Sequence, residues 1–269
     1  MAIKPLIMMP YILTLLTLAL SITILALTTT LLTWSGQNKS TFPSITVSPT
    51  PNTPTATNTF TISAFPSRYN PIGLILNLVA GIGGMVDSLL LPLCLGCIDL
   101  IYRAGRTKFA CVSKADAKRG IAPTWLWGVT IFIVVFSVCR SLLGFVGSWV
   151  GYYTSARLTV GAEDVETDGL GRYVAPGGGA FSFGGWVCQL GDVVVDDTEG
   201  NGTMKGMLSK GDIASLCAKE KAARGLTVSL FVVYVVLLGV LVARFRSEKR
   251  ERASVMRVGG GKGGVVDSE

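Results

Sequence analysis

The sequence contains no histidine at all. That absence removes the Ser-His-Asp and Cys-His nucleophile systems, the HExxH zinc sites and the side chain that most often carries protons near neutral pH. No cluster of catalytic residues or of metal ligands takes its place in the sequence. We therefore expect a protein that is not an enzyme and that has no cofactor and no metal.

Charged residues are scarce as well. They make up 15% of the chain, against about a quarter in an ordinary soluble domain, while 49% of the residues are hydrophobic and the mean hydropathy is +0.53. The net charge of +7 comes from two short clusters. It is not spread over one face, as it would be in a nucleic-acid-binding protein. The composition indicates a membrane protein that does not bind nucleic acid.

Four apolar stretches are long enough to cross a bilayer, which takes about 20 residues of helix. We predict an all-α transmembrane four-helix bundle with a small β-containing, disulfide-bonded extracellular loop domain. The predicted segments are a first span (1–33), a Ser/Thr/Pro-rich external loop (34–71), a second span (72–102), a basic cytosolic loop (103–122), a third span (123–150), a folded external loop (151–224), a fourth span (225–243) and a cytosolic tail (244–269).

The basic clusters set the expected orientation. The loop RAGRTKFACVSKADAKR and the tail that opens with RFRSEKRER should both face the cytosol by the positive-inside rule. Both chain termini are then cytosolic. The two N-glycosylation sequons, at Asn38 and Asn201, fall in the two external loops, which indicates the plasma membrane or the secretory pathway. A cleaved signal peptide is the alternative for the first span, although its apolar run is longer than usual.

The two external loops differ in composition. The first is rich in Ser, Thr and Pro, as in TVSPTPNTPTATNTFT, so we expect it not to fold and to be a mucin-like O-glycosylated spacer. Contact with an extracellular matrix or cell wall is the weaker alternative. In the second loop, the pattern of WVCQLGDVVVDD and ARLTVG favours two to four short strands. Its clusters EDVETD and DDTEGNG indicate a solvated acidic face rather than a Ca²⁺ site.

Cys188 and Cys217 are the two external cysteines, and we predict a disulfide between them. Two buried free thiols are the alternative. Because Cys217 lies shortly before the fourth span, the bridge would tie the loop to that helix. Three further cysteines, Cys94, Cys97 and Cys111, are candidate palmitoylation sites near the cytosolic face, and inert packing explains them equally well.

Two ionisable residues lie deep within the spans, where charges are expensive and often functional. Asp87 and Arg140 sit at matched depth on consecutive spans, so we predict an intramembrane ion pair between them. In the alternative, Arg140 snorkels to the outer interface and Asp87 is protonated or hydrated. A third residue, Asp99, can reach the cytosolic interface.

The second span has a further pattern. Its small residues Ala80, Gly81, Gly84 and Ser88 favour close helix packing. Pro92 introduces either a kink or a break into two segments.

The layout resembles the four-helix membrane proteins of the MARVEL and claudin-like groups. More narrowly, GGWVCQL followed by CAKEKAARGLTVSLFVVYVV resembles uncharacterised tetraspan proteins of filamentous fungi. The residues that match are Trp186, Cys188, Cys217, Ala222, Ala223 and Arg224. Claudins carry their Trp and Cys pair in the first external loop, so the resemblance does not imply a claudin barrier function. The fungal resemblance implies no particular activity.

The sequence therefore favours a non-enzymatic cell-surface protein that organises or contacts other components. Its expected partners are the lipid bilayer and, as candidates, other membrane, matrix or wall components, and the sequence leaves its oligomeric state open. The alternative is a channel, transporter or accessory subunit with a polar path at Asp87 and Arg140.

Overall fold

The computed structural model describes residues 3–41, 44–47, 60–104, 124–158, 166–194 and 209–260. This part of the chain is mostly helical. Four of its helices are long and apolar enough to cross a membrane. They are α1 (Ile3–Thr41), α2 (Ile72–Ala104), α3 (Thr124–Tyr153) and α5 (Lys210–Gly260), with the shorter α4 (Phe183–Val193) between the last two.

The strands are short and form two small sheets. Strand β1 (Ser44–Val47) pairs antiparallel with β2 (Phe60–Ser63), and Ile45 is opposite Ile62. Strand β3 (Tyr69–Asn70) pairs in parallel with β4 (Phe181–Ser182). A further bridge joins Val47 to Val194. Because β1 to β3 lie between α1 and α2 while β4 and Val194 lie between α3 and α5, the two inter-helix segments are joined by backbone pairing.

On each long helix the buried positions recur every seven residues, the repeat of helices that pack in a left-handed coiled-coil manner. In α1, for example, Thr14, Ser21, Thr28 and Ser35 are all buried. In α5 the same spacing gives Ile213, Glu220, Thr227, Tyr234, Leu241 and Glu248. A single stripe of each helix therefore contacts the neighbouring helices.

The polarity of these helices is inverted relative to a soluble bundle. Many of the buried residues are Ser, Thr or Gly, whereas the exposed residues include large apolar side chains on every long helix, such as Leu15, Leu93, Phe132 and Val232. In water this arrangement would expose large apolar area at about 25 cal/mol per Å². In lipid the exposed apolar side chains carry no such free-energy cost. The four apolar helices therefore indicate a multi-pass membrane protein.

The chain divides into two compact units. One comprises Met1–Ala19, Gly84–Cys139 and Val232–Glu269, and its described part consists of helix segments. The other comprises Leu20–Gly83 and Arg140–Phe231 and contains further helix segments together with all four strands and α4. We call the non-spanning part of this second unit (residues 44–47, 60–70, 154–158, 166–194 and 209–224) the cap.

The cap has one hydrophobic core to which both inter-helix segments contribute. Its buried members are Leu31, Ile45, Val47, Ile62, Ala64, Leu74, Tyr173, Ala175, Phe181, Phe183, Trp186, Val187, Leu190, Val194, Ile213 and Leu216. The expectation that the Ser/Thr/Pro-rich segment does not fold is therefore wrong for residues 44–47 and 60–70. Alternation of small polar residues with Ile45 and Val47 lets one strand face reach the core, although the average composition is polar. Residues 48–59 lie outside the described part.

The segment around Trp186 is also different from the expectation. Its apolar residues were interpreted as a strand, but they form α4, in which Phe183, Trp186, Val187 and Leu190 are buried at helical spacing. The Ser182 hydroxyl caps this helix by accepting a hydrogen bond from the Gly185 N–H. Of the strands expected in the second external segment, the described residues contain the two-residue β4 and isolated bridges.

The helix bounds extend past the predicted spans. Helix α5 begins at Lys210, inside the predicted external loop, so that Cys217 lies on a helix. Helix α2 runs as one helix through Pro92 and is not divided into two segments.

Small residues bring helices close together in the second unit. A methyl group placed on Gly81 would lie 3.3 Å from the Leu25 backbone nitrogen and 3.4 Å from the Ser21 carbonyl oxygen. One placed on Gly144 of α3 would lie 3.1 Å from the Ala80 side chain. Neighbouring positions on α2 thus face α1 and α3 at near backbone contact, the packing that small residues allow in membranes.

We predict that Gly81→Ile destabilises the protein by about 1 to 3 kcal/mol, because the added side chain must displace the backbone of α1. The matched control is Gly239→Ile on α5, where a Cβ would meet nothing within 4 Å. Thermal unfolding in detergent micelles measures both. Equal unfolding temperatures for the two variants would contradict the close contact.

Candidate functional site

The two acidic residues of α2 are hydrogen-bonded by side chains from the other long helices. Asp87 is only 5% exposed. Its carboxylate accepts a hydrogen bond from the Ser137 hydroxyl of α3 at 2.7 Å and another from the Tyr234 hydroxyl of α5 at 2.9 Å. These donors offset part of the desolvation that an isolated carboxylate would suffer among apolar helices.

Asp99, three turns further along α2, lies in a larger network. It accepts a hydrogen bond from the Tyr11 hydroxyl of α1 at 2.6 Å and forms an ion pair with Arg244 of α5. Arg244 also lies 3.6 Å from Glu248, which accepts a hydrogen bond from the Trp127 indole of α3 at 2.9 Å. All four long helices therefore contribute a side chain to this polar network.

Sequence reasoning missed Arg244, which it counted only as part of the basic tail. The seven-residue repeat of α5 indicated that they are buried, because Arg244 and Glu248 each lie seven residues after a buried leucine, Leu237 and Leu241. Charged residues at such positions need a partner on another helix. The partner itself, Asp99, is 145 residues away in the chain and could not be found from local pattern.

Arg140 occupies space that glycine provides. Its guanidinium lies so close to Gly83 of α2 that a Cβ on that residue would overlap it. Gly83 is one turn before Asp87 on the same helix. The contacts given above for Asp87 are with Ser137 and Tyr234, and the ion pair between Asp87 and Arg140 stays a prediction.

A second buried ion pair lies where the cap meets α3 and α5. Arg224 and Glu220 are 2.7 Å apart, and both side chains are less than a tenth exposed. The guanidinium lies 3.8 Å from the ring centroid of Tyr152, a cation–π contact. The Glu220 carboxylate lies against Gly184 in the first turn of α4, where the helix dipole favours a negative charge.

Cys188 of α4 and Cys217 of α5 form the predicted disulfide, with their Cα atoms 4.9 Å apart. The bridge ties the external segment that contains α4 to the long helix α5, as expected. Beside it, Trp186 is buried and its indole N–H donates to the Ala64 carbonyl oxygen at 2.7 Å. The disulfide and this hydrogen bond hold α4 between α5 and the segment that follows β2.

The predicted modification sites fall in different environments. The Asn38 side chain donates to the Trp34 carbonyl oxygen within α1. Cys94 is half-buried and Cys97 is exposed, as is Cys139, which the sequence analysis did not single out. Asn201 and Cys111 lie outside the described residues. Glycosylation and palmitoylation stay predictions.

Within the described ranges, no group of three or more His, Cys, Asp or Glu residues is placed to hold a metal ion. Comparison with known protein families, with curated proteins and with solved structures gives no match. The resemblance to fungal tetraspan proteins therefore stays an expectation.

An aromatic cluster closes the cap around Tyr69. The Tyr69 ring packs edge-on against Phe65 and Phe183 at 6.0 and 6.3 Å between centroids, and Trp34 contacts both of these phenylalanines. Burial raises the pKa of the Tyr69 hydroxyl from 10.0 to about 12, and a hydrogen bond from Ser35 offsets part of that rise. The cluster therefore favours the neutral phenol.

This pKa shift predicts how the cap responds to alkali. The folded pKa is above the unfolded value, so the stabilisation is fully present below about pH 10 and is lost as the pH rises from about 10 to 12. Tyr69→Phe should remove this part of the pH dependence, which is worth about 3 kcal/mol. Unfolding followed by tryptophan fluorescence across this range measures it. The control is Tyr153→Phe, an exposed tyrosine, and an identical pH dependence in the two variants would contradict the assignment.

For the Asp99 network we predict that Arg244→Gln lowers the free energy of unfolding by about 3 kcal/mol, because it leaves a half-buried carboxylate without its cation. Arg246→Gln, at an exposed position two residues away, should change it by less than about 0.5 kcal/mol. Denaturant titration of the full chain in micelles provides the comparison. A loss of similar size in both variants would show that the ion pair contributes nothing specific.

Proposed function

We propose that this chain is a non-enzymatic multi-pass membrane protein whose cap lies outside the cell and contacts or organises other components of the cell surface. Both termini are then cytosolic, and the protein lies in the plasma membrane or the secretory pathway. The proposed partners are the lipid bilayer and other membrane, matrix or wall components.

The observation that carries this proposal is the shared core of the cap. Two segments that are far apart in the sequence bury side chains in one cluster, and a disulfide fixes that cluster to α5. A simple connection between spans needs no such core, because short polar loops suffice. A rigid folded surface is what recognition of another component requires, since it avoids the cost of ordering a flexible loop on binding.

The orientation of the cap is supported by two independent features. Structural disulfides persist in oxidising compartments such as the cell exterior and the secretory lumen. In the sequence, the basic segments 103–119 and 244–252 are each separated from the cap segments by one apolar stretch, and they favour the cytosol by the positive-inside rule.

The alternative function, a channel or transporter with a polar path at Asp87 and Arg140, draws its support from the buried hydroxyl groups along the helices. Most of these hydroxyls, however, bond to their own helix: Thr17, Thr130 and Thr227 donate to carbonyl oxygens three or four residues earlier. Hydroxyls satisfied in this way serve helix packing rather than ion coordination. We therefore favour the contact function.

A membrane-impermeant cross-linker applied to intact cells tests the proposal. We expect the tagged full chain to be joined to a reproducible set of surface neighbours through the exposed cap lysines. The double variant Cys188→Ser/Cys217→Ser should lose that set, because opening the 29-residue loop costs the cap about 3 to 4 kcal/mol. The control is Cys139→Ser, an exposed cysteine without a disulfide.

Surface biotinylation shows whether each variant reaches the cell surface. Cross-linking that is unaffected by the double variant at equal surface level would contradict a role for the folded cap. Ion flux through the reconstituted protein that Asp87→Asn abolishes would instead establish the alternative.

A further inference from the structure

The apolar stretch of α5 ends at Ala243, but the helix continues to Gly260. One side of this continuation packs against the other helix segments of its unit. Arg244 pairs with Asp99, and Glu248 accepts the Trp127 hydrogen bond, so both side chains are buried. These contacts fix which way the helix faces.

The opposite side of the continuation is basic and exposed. Arg246, Lys249 and Arg250 are all exposed, while Glu248 is buried. At about 100° per residue, these three side chains point within about 60° of the direction opposite to Arg244 and Glu248. The exposed side of α5 therefore presents three positive charges between residues 244 and 250.

Aromatic residues place this basic side at the level of a membrane surface. Trp125 and Trp127 lie in the first turn of α3, and Trp125 is 67% exposed, an arrangement typical of the aromatic belts of membrane interfaces. The Trp127 ring is 5.7 Å from the Phe245 ring, so Phe245 lies at the same level. From Phe245 to Arg250 the helix rises only about 7.5 Å, which is within the Debye length of about 8 Å at physiological salt.

We propose that Arg246, Lys249 and Arg250 bind the phosphate-bearing headgroups of anionic phospholipids in the bilayer that the chain crosses. This inference rests on the proposed membrane location. The charge complementarity favours lipid over a soluble acidic partner, because the three side chains lie at headgroup depth. The buried Arg244 and Glu248 act as positioning residues, since they hold the basic side away from the other helices.

The test uses the full chain reconstituted in bilayers that contain spin-labelled phosphatidylserine or spin-labelled phosphatidylcholine. Electron paramagnetic resonance gives the relative association of the two lipids with the protein. The triple variant Arg246→Gln/Lys249→Gln/Arg250→Gln should lower the preference for phosphatidylserine by at least about fivefold, because each basic side chain near the membrane surface contributes roughly that factor. High salt should weaken the preference of the wild type and have little effect on the variant.

The control variant removes the same number of charges from the exposed surface of the other unit, as Arg157→Gln/Lys210→Gln/Lys221→Gln. It should keep the wild-type preference. An unchanged ratio in the first variant, or an equal fall in both, would overturn the inference and leave the membrane location intact. Failure of the wild type to enter bilayers would overturn both the lipid inference and the membrane location. If inorganic phosphate lowers the lipid preference more than another salt of equal ionic strength does, the residues bind a free phosphate group instead.

Discussion

The carboxylates of α2 impose the strongest constraint on the unit formed by the helix segments. Apolar side chains attract one another no more than they attract lipid tails, so they do not fix how far one helix slides past another. A buried carboxylate does, because its donors must lie at hydrogen-bonding distance. Asp87 and Asp99 receive donors from α1, α3 and α5, and a shift of one residue in any of these helices would remove at least one bond.

The cap is stabilised by different physics. Its core is aromatic and aliphatic, as in a soluble domain, and it draws Leu31 and Leu74 from the ends of α1 and α2. A core of this size is small, and the disulfide between α4 and α5 adds a constraint that does not depend on burial. The shared core and the disulfide together hold the surface of the cap in one conformation.

The sequence predicted features that depend on local length and on simple pairing: four apolar helices and the Cys188–Cys217 bridge. It did not predict features that depend on long-range register. The Ser/Thr/Pro average concealed the alternation of β1, and the apolar residues around Trp186 are compatible with both the strand and the helix period until a neighbouring surface selects one. The residues of the Asp99–Arg244 pair are 145 positions apart, so no local sequence pattern relates one to the other.

The two ends of the apolar stretch of α5 share one arrangement. Arg224 pairs with Glu220 and lies over Tyr152, and Arg244 contacts Glu248 and lies over the Trp127 ring at 5.6 Å. Twenty residues separate the two arginines in the sequence, which is about the number of helical residues needed to cross the hydrocarbon core. Guanidinium groups that stack on aromatic rings are suited to the boundary between lipid and water, because one face is apolar and the edge is charged. Their spacing supports, from within a single helix, the membrane placement that hydropathy indicates.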